Sequence, residues 1–221
     1  GDPARHTPFC GSPTAPTGFV LSLLDSALRP VKDRLFGPLV DSAFGRVHPV
    51  VLSTLSLGTA LAAAVAAWQG AVALSVSLWL LSRVADGLDG AVARHQGTAT
   101  DLGGVLDIVF DTIGYAAIPI GVAAGLDTRA GWVVAAVLLA TFYVNAVSWT
   151  YVAALLEKRG SARSVTSITM PRGLVEGTET IVFFTLALAV PSAAVWVWGV
   201  MAVAVAATVV ERLWWARGAL R

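Results

Sequence analysis

Asp86, Asp89, Asp107 and Asp111 stand close together in an otherwise apolar chain, in the stretch DGLDGAVARHQGTATDLGGVLDIVFD. A carboxylate at the centre of a membrane helix costs about 2.5–3.5 kcal/mol on insertion scales, so such groups are functional by default. Four of them on two consecutive helices are expected to converge on something cationic. Asp86, Asp89, Gly90, Ala93 and Arg94 fall at offsets of 0, 3, 4, 7 and 8, one face of a helix. Gly103, Asp107 and Asp111 step by four and share a second face. Two adjacent antiparallel helices would then aim the carboxylates at one point, and hard divalent cations such as Mg²⁺ take oxygen ligands of this kind. Gly90 and Gly103 remove side chains where a bulky ligand could approach the backbone.

The elements that position these residues follow from composition. The chain of 221 residues is 56% hydrophobic and only 13% charged, against about 25% charged in a soluble domain. It reads as an all-α integral membrane protein of six transmembrane helices with an N-terminal amphipathic interfacial helix. The hydrophobic stretches lie at about 50–69, 71–94, 102–126, 130–156, 171–190 and 193–214, each near the ~20 residues that cross a bilayer. Residues 1–17 form a Pro/Gly/Ser/Thr-rich leader with the single cysteine, Cys10, which excludes an intrachain disulfide. No cleavable signal peptide is seen. Residues 18–36 carry Asp25, Arg29, Lys32, Asp33 and Arg34, too many charges to span, and are expected to lie on the membrane surface, bent near Pro30. The expected organisation is a leader at 1–17, a surface helix and linker at 18–48, a six-helix catalytic domain at 49–216 and a cytoplasmic tail at 217–221. Basic residues fix orientation. Arg29, Lys32, Arg34, Arg46, Arg94, Lys158, Arg159, Arg163, Arg172, Arg212, Arg217 and Arg221 fall on one side and only Arg129 on the other. The positive-inside rule therefore puts both termini and the motif aspartates toward the cytoplasm, as in a prokaryotic cytoplasmic membrane protein.

The pattern D-x2-D-G-x2-A-R-x8-G-x3-D-x3-D is matched in full by residues 86–111. In this the chain resembles the CDP-alcohol phosphotransferase family. The resemblance implies a phospholipid-synthesising transferase. It moves a phosphatidyl or similar phospho-alcohol group from a CDP-linked lipid donor, such as CDP-diacylglycerol, to a hydroxyl acceptor and releases CMP. It implies Asp86, Asp89 and Asp107 as ligands of two divalent ions, Mg²⁺ or Mn²⁺, and Asp111 as the last ligand and the general base. It implies Gly90, Arg94 and Thr100 as residues that hold the CDP group, with Ala93 and Gly103 leaving room for it. It further implies a homodimer among membrane lipids, with no nucleic-acid partner.

A second polar stripe lies on the fifth span, where Arg172, Glu176, Glu179 and Thr180 fall at offsets of 0, 4, 7 and 8. Arg172, Glu176 and Glu179, with Arg163 and, on the fourth span, Asn145, are the expected acceptor pocket. The competing reading is an Arg172–Glu176 ion pair that stiffens the bundle. A phosphorylated acceptor would call on Lys158, Arg159, Arg163 and Arg172, and a cationic or polyol acceptor on Glu176 and Glu179. His48 and His95 read as interfacial. Intramembrane acids also bind ions in transporters, and a non-catalytic lipid-binding protein could carry the same cluster. However, the acids cluster near one face and no inverted repeat is visible. Arg83, three residues before Asp86, could pair with one carboxylate but not with four.

Overall fold

The computed structural model describes residues 47–159, 175 and 177–220, and these form helices and connecting turns with no strand among them. The surface helix expected at 18–36 lies outside the described residues, as do Arg163, Arg172 and Glu176. The helices are α1 (Pro49–Trp68), α2 (Val72–Gln96), α3 (Asp101–Leu126), α4 (Arg129–Lys158), α5 (Gly177–Ala189) and α6 (Ala194–Ala219), with a 3₁₀ turn at Pro191–Ala193 before α6. By length and hydropathy α1, α3, α4 and the segment Pro191–Ala219 can each cross a bilayer. The 25 residues of α2 reach about 37 Å, but this helix carries Arg83, Asp86, Asp89 and Arg94. The described part of α5 is shorter, at 13 residues. The chain is a multi-pass membrane protein.

Local chemistry explains the helix ends. His48 caps α1, its Nδ1 accepting from the Val50 N–H at 3.4 Å, and Pro49 occupies the first turn, where a missing N–H costs nothing. Gly70 and Gly97 adopt φ of +72° and +65°. After each, one N–H returns three residues and the next returns five: Gly70 to Ala67 and Ala71 to Ala66, Gly97 to Arg94 and Thr98 to Ala93. This paired closure needs a left-handed residue, which glycine supplies without steric cost. Thr100 and Thr128 cap α3 and α4 by accepting from Gly103 and Gly131, both at 3.1 Å. The connection expected at 95–101 is therefore shorter. α2 runs on to Gln96 and α3 begins at Asp101. α6 likewise extends to Ala219, into the stretch read as a tail.

α1 packs along both α2 and α3, α4 along α6, and α5 against α2 and α6. Lipid tails are as apolar as leucine, so close van der Waals packing rather than water exclusion holds such helices together. The α1–α3 seam is built for it. Gly114 faces Ala60, and at Gly121 an added Cβ would stand 2.2 Å from the Ala64 carbonyl oxygen, with a similar clash at Gly125 against Ala67. Gly121→Ala is expected to destabilise the protein by about 1–3 kcal/mol, read as a lower Tm in detergent. Gly58→Ala, with nothing within 4 Å of the new methyl, should leave Tm unchanged. The core gathers Trp79, Ile118, Leu138, Phe184, Leu188, Trp198 and Met201. At its centre Trp79 and Phe184 stack at 5.2 Å, and Tyr115 meets both rings edge-on, at 5.8 Å from Trp79 and 5.6 Å from Phe184.

Candidate active site

α1 packs along both α2 and α3, and its close seam with α3 sets the register of that helix. The motif faces of α2 and α3 consequently meet. Asp86, Asp89 and Asp107 each offer a carboxylate oxygen, and the three oxygens lie within 4.8 Å of one another. Asp89 is the buried member at 5% exposure. Its Oδ2 accepts a 2.5 Å hydrogen bond from the Ser53 hydroxyl of α1. A charge-assisted bond of this kind orients a carboxylate and satisfies one of its lone pairs. Three acidic oxygens at this spacing, with no lysine or arginine bonded to Asp89 or Asp107 among the described residues, suit a hard divalent ion.

Asp111 adjoins that group, its carboxyl against that of Asp86, and also meets a cation. Its Oδ1 accepts from Arg83 Nη1 at 2.7 Å, and the same nitrogen lies 3.7 Å from Asp86 Oδ2. Arg83 thus pairs chiefly with the aspartate one helix away rather than with its neighbour in sequence. It engages two of the four carboxylates.

The sites of Gly90 and Gly103 are nearly open. A Cβ on Gly90 would meet only Arg94, whose Nη1 would be 3.2 Å away, and a Cβ on Gly103 only the Thr100 hydroxyl at 3.2 Å. The exposed Arg94 guanidinium therefore overlies the glycine face beside the carboxylates. Ala93 is half-buried and its carbonyl accepts the Thr98 N–H. Thr100 has a structural task as the α3 cap.

The expected acceptor residues are partly placed. Glu179 is buried in the first turn of α5. Asn145 on α4 binds Arg212, whose Nη1 donates to the Asn145 carbonyl at 3.0 Å, to its side-chain Oδ1 at 2.7 Å and to the Ser148 hydroxyl at 2.8 Å. The sequence places Arg212 among the charges of the cytoplasmic side; in the structure it lies within α6, at 7% exposure. The helix continues past it, and α4 supplies the polar partners that let it stay inside. The serines of α1, Ser53 and Ser56, were also missed by sequence reasoning. Their three-residue spacing in an apolar helix is the signal that could have found them. Ser53→Ala is expected to lower turnover about 10–100-fold while leaving Tm within a few degrees, measured on the purified protein.

The sequence profile of the CDP-alcohol phosphatidyltransferases matches residues 46–210, most of the chain and all of the site. The chain belongs to the CDP-alcohol phosphatidyltransferase family. It is 40% identical over 122 residues to the inner membrane protein YnjF of Escherichia coli K12, an alignment covering 51% of this chain and 55% of YnjF. The chain thus matches about half the length of that curated relative. The fold is similar to that of the Mycobacterium tuberculosis phosphatidylinositol phosphate synthase PgsA1. The TM-score is 0.62 to its complex with CDP-DAG, covering 83% of this chain and 92% of the other, and 0.63 to its complex with manganese and citrate, covering 84% and 88%. Identity is 22% in both cases.

Proposed function

We propose that this family member transfers a phosphatidyl or similar phospho-alcohol group from a CDP-linked lipid to a hydroxyl acceptor and releases CMP. The observation that carries the reading is the convergence of Asp86, Asp89 and Asp107 within 4.8 Å, beside the open glycine face under Arg94. Asp86, Asp89 and Asp107 would hold divalent ions, Mg²⁺ or Mn²⁺, which supply charge neutralisation of a pyrophosphate when bound. Arg94, Gly90 and Gly103 form the cradle for the CDP group, the arginine supplying a cation and the glycines close backbone approach. Asp111 takes the proton of the acceptor hydroxyl. The acceptor oxygen then forms a bond to the phosphorus on the lipid side, the bond from that phosphorus to the bridging oxygen breaks, and CMP leaves with the electron pair. The cytoplasm is the expected source of the acceptor, since Lys158, Arg159 and Arg94 close the helix ends on that side. PgsA1 was crystallised with CDP-DAG and with manganese, which supports this donor class and ion class here.

The test is CMP release by purified protein from CDP-diacylglycerol with Mg²⁺. The acceptors to compare are glycerol 3-phosphate, inositol phosphate, inositol, serine, choline and phosphatidylglycerol. Metal-dependent release with one of them establishes the reaction and names the product. Release with none, together with no binding of CDP-diacylglycerol, would refute the transfer reading in favour of an ion-handling protein.

A further inference from the structure

α2, α3 and α5 each pass through the same three layers. On α2 these are Ser75, then Trp79, then Arg83 with Asp86. On α3, followed from its far end, they are Val122, Tyr115 and Asp111, and on α5 they are Leu188, Phe184 and Glu179. The first layer borders a cavity of about 60 Å³, room for about two waters at roughly 30 Å³ each. Its walls include Ala67, Gly70, Ser75, Val122, Leu188 and Pro191, so it lies among the turns at the end of the bundle away from the carboxylates. The third layer is the acidic one, where the Asp86 and Asp111 side chains are 28% and 27% exposed. Ser75 and Arg83 stand only about 12 Å apart along α2.

The layer between them is aromatic. Trp79 and Phe184 are at 0% exposure. The ring centres of Trp79, Phe184 and Tyr115 lie 5.2, 5.6 and 5.8 Å apart, and Phe142 of α4 stacks on Phe184 at 6.2 Å. Rings this close leave no passage for a hydrated ion, and an apolar constriction also excludes water by dewetting. We infer that Trp79, Tyr115 and Phe184 form a septum one ring thick that closes the carboxylate site toward the cavity at the Gly70 turn. Arg83, with its guanidinium carbon 4.7 Å from the Trp79 ring centre and 4.9 Å from that of Tyr115, is the last charged group before the septum. The acidic pocket is thereby a dead end rather than part of a path across the membrane. Intramembrane acids attract cations, and this layer is what keeps those cations on one side. The inference goes beyond the transfer reading and does not depend on it.

The experiment uses Ag⁺, a thiol-reactive cation small enough for the cavity, on membrane vesicles of either orientation. The chain carries one cysteine, Cys10, so Ser75→Cys combined with Cys10→Ser gives a single reporter thiol on the cavity wall. Thiols that escape Ag⁺ are counted with a maleimide after denaturation. With Phe184 in place, the thiol is expected to react at least about tenfold faster from the Gly70 side than from the carboxylate side. Adding Phe184→Ala is expected to bring the two rates within about twofold, because the lost ring leaves a cavity through the layer. Phe184→Leu, which leaves less space, should fall between. Met201→Ala is the control. It empties an equally buried core position, but on α6, which contributes to neither the cavity nor the carboxylate cluster, and the reaction should stay one-sided. Equal reaction from both sides with Phe184 in place would overturn the inference, as would no reaction from the Gly70 side. A reaction that stays one-sided in folded Phe184→Ala would overturn it too. Phe184→Leu decides that arm if the alanine variant does not fold, and the reporter with Phe184 in place decides alone if neither folds.

Discussion

Asp89→Asn is expected to reduce CMP release by about 10³-fold or more, the rate equivalent of the several kcal/mol of charge stabilisation that a metal centre supplies. Asp89 is the most enclosed of the three clustered carboxylates, and the Ser53 hydroxyl holds its Oδ2 at 2.5 Å. An asparagine of the same shape keeps that contact but loses the negative charge, and a carboxamide is a much poorer ligand for a hard cation. The loss should be accompanied by weaker Mn²⁺ binding, measured by electron paramagnetic resonance without substrate. Tm should hold, because nothing bulky is added or removed. Wild-type ion affinity in this variant would remove Asp89 from the metal-binding group and with it the central feature of the proposed site.

The second large effect is expected at Asp111. Asp111→Asn should cost about 10²–10⁴-fold in kcat, the range for loss of a general base, while Mn²⁺ affinity stays within about tenfold of wild type because Asp86, Asp89 and Asp107 remain. The contrast with Asp89→Asn is the informative part, since one variant loses ion and turnover together and the other loses turnover alone. The fold should survive. The asparagine carbonyl can still accept from Arg83 Nη1, which keeps Asp86 at 3.7 Å as its negative neighbour. Single-turnover CMP release at saturating acceptor measures the effect directly. Full activity would end the assignment of Asp111 as base.

Much of this arrangement was legible in the sequence because it is local. The motif aspartates announce themselves by helical spacing in an apolar background. Gly70, Gly97, Thr100 and Thr128 mark helix ends through conformations and caps that each residue type favours. What the sequence hid is contact between distant segments. Arg83 was weighed against Asp86, three residues on, yet its shorter bond goes to Asp111 across the helix pair. That choice depends on the rotation and height of α3 relative to α2, and both helices take their place from α1, on which they pack. Ser53 was unremarkable until α1 turned it toward Asp89. Arg212 looked like a terminal charge, and only its partners Asn145 and Ser148, more than sixty residues earlier, reveal an interior position.

The backbone contact of Gly121 and Gly125 with α1 bears on how members of such a family can diversify. Helices touching through main-chain atoms have no side chains between them to trade, so α1 and α3 cannot slide or rotate without a collision. The two halves of the carboxylate site therefore sit on a frame that tolerates little drift. By contrast, α4 and α6 meet through exchangeable groups such as Asn145, Ser148 and Arg212. Substitution there can change how α4 and α6 meet while the α1–α3 seam stays in place. The α1–α3 pair is in effect a fixed anvil and the α4–α6 pair a replaceable die.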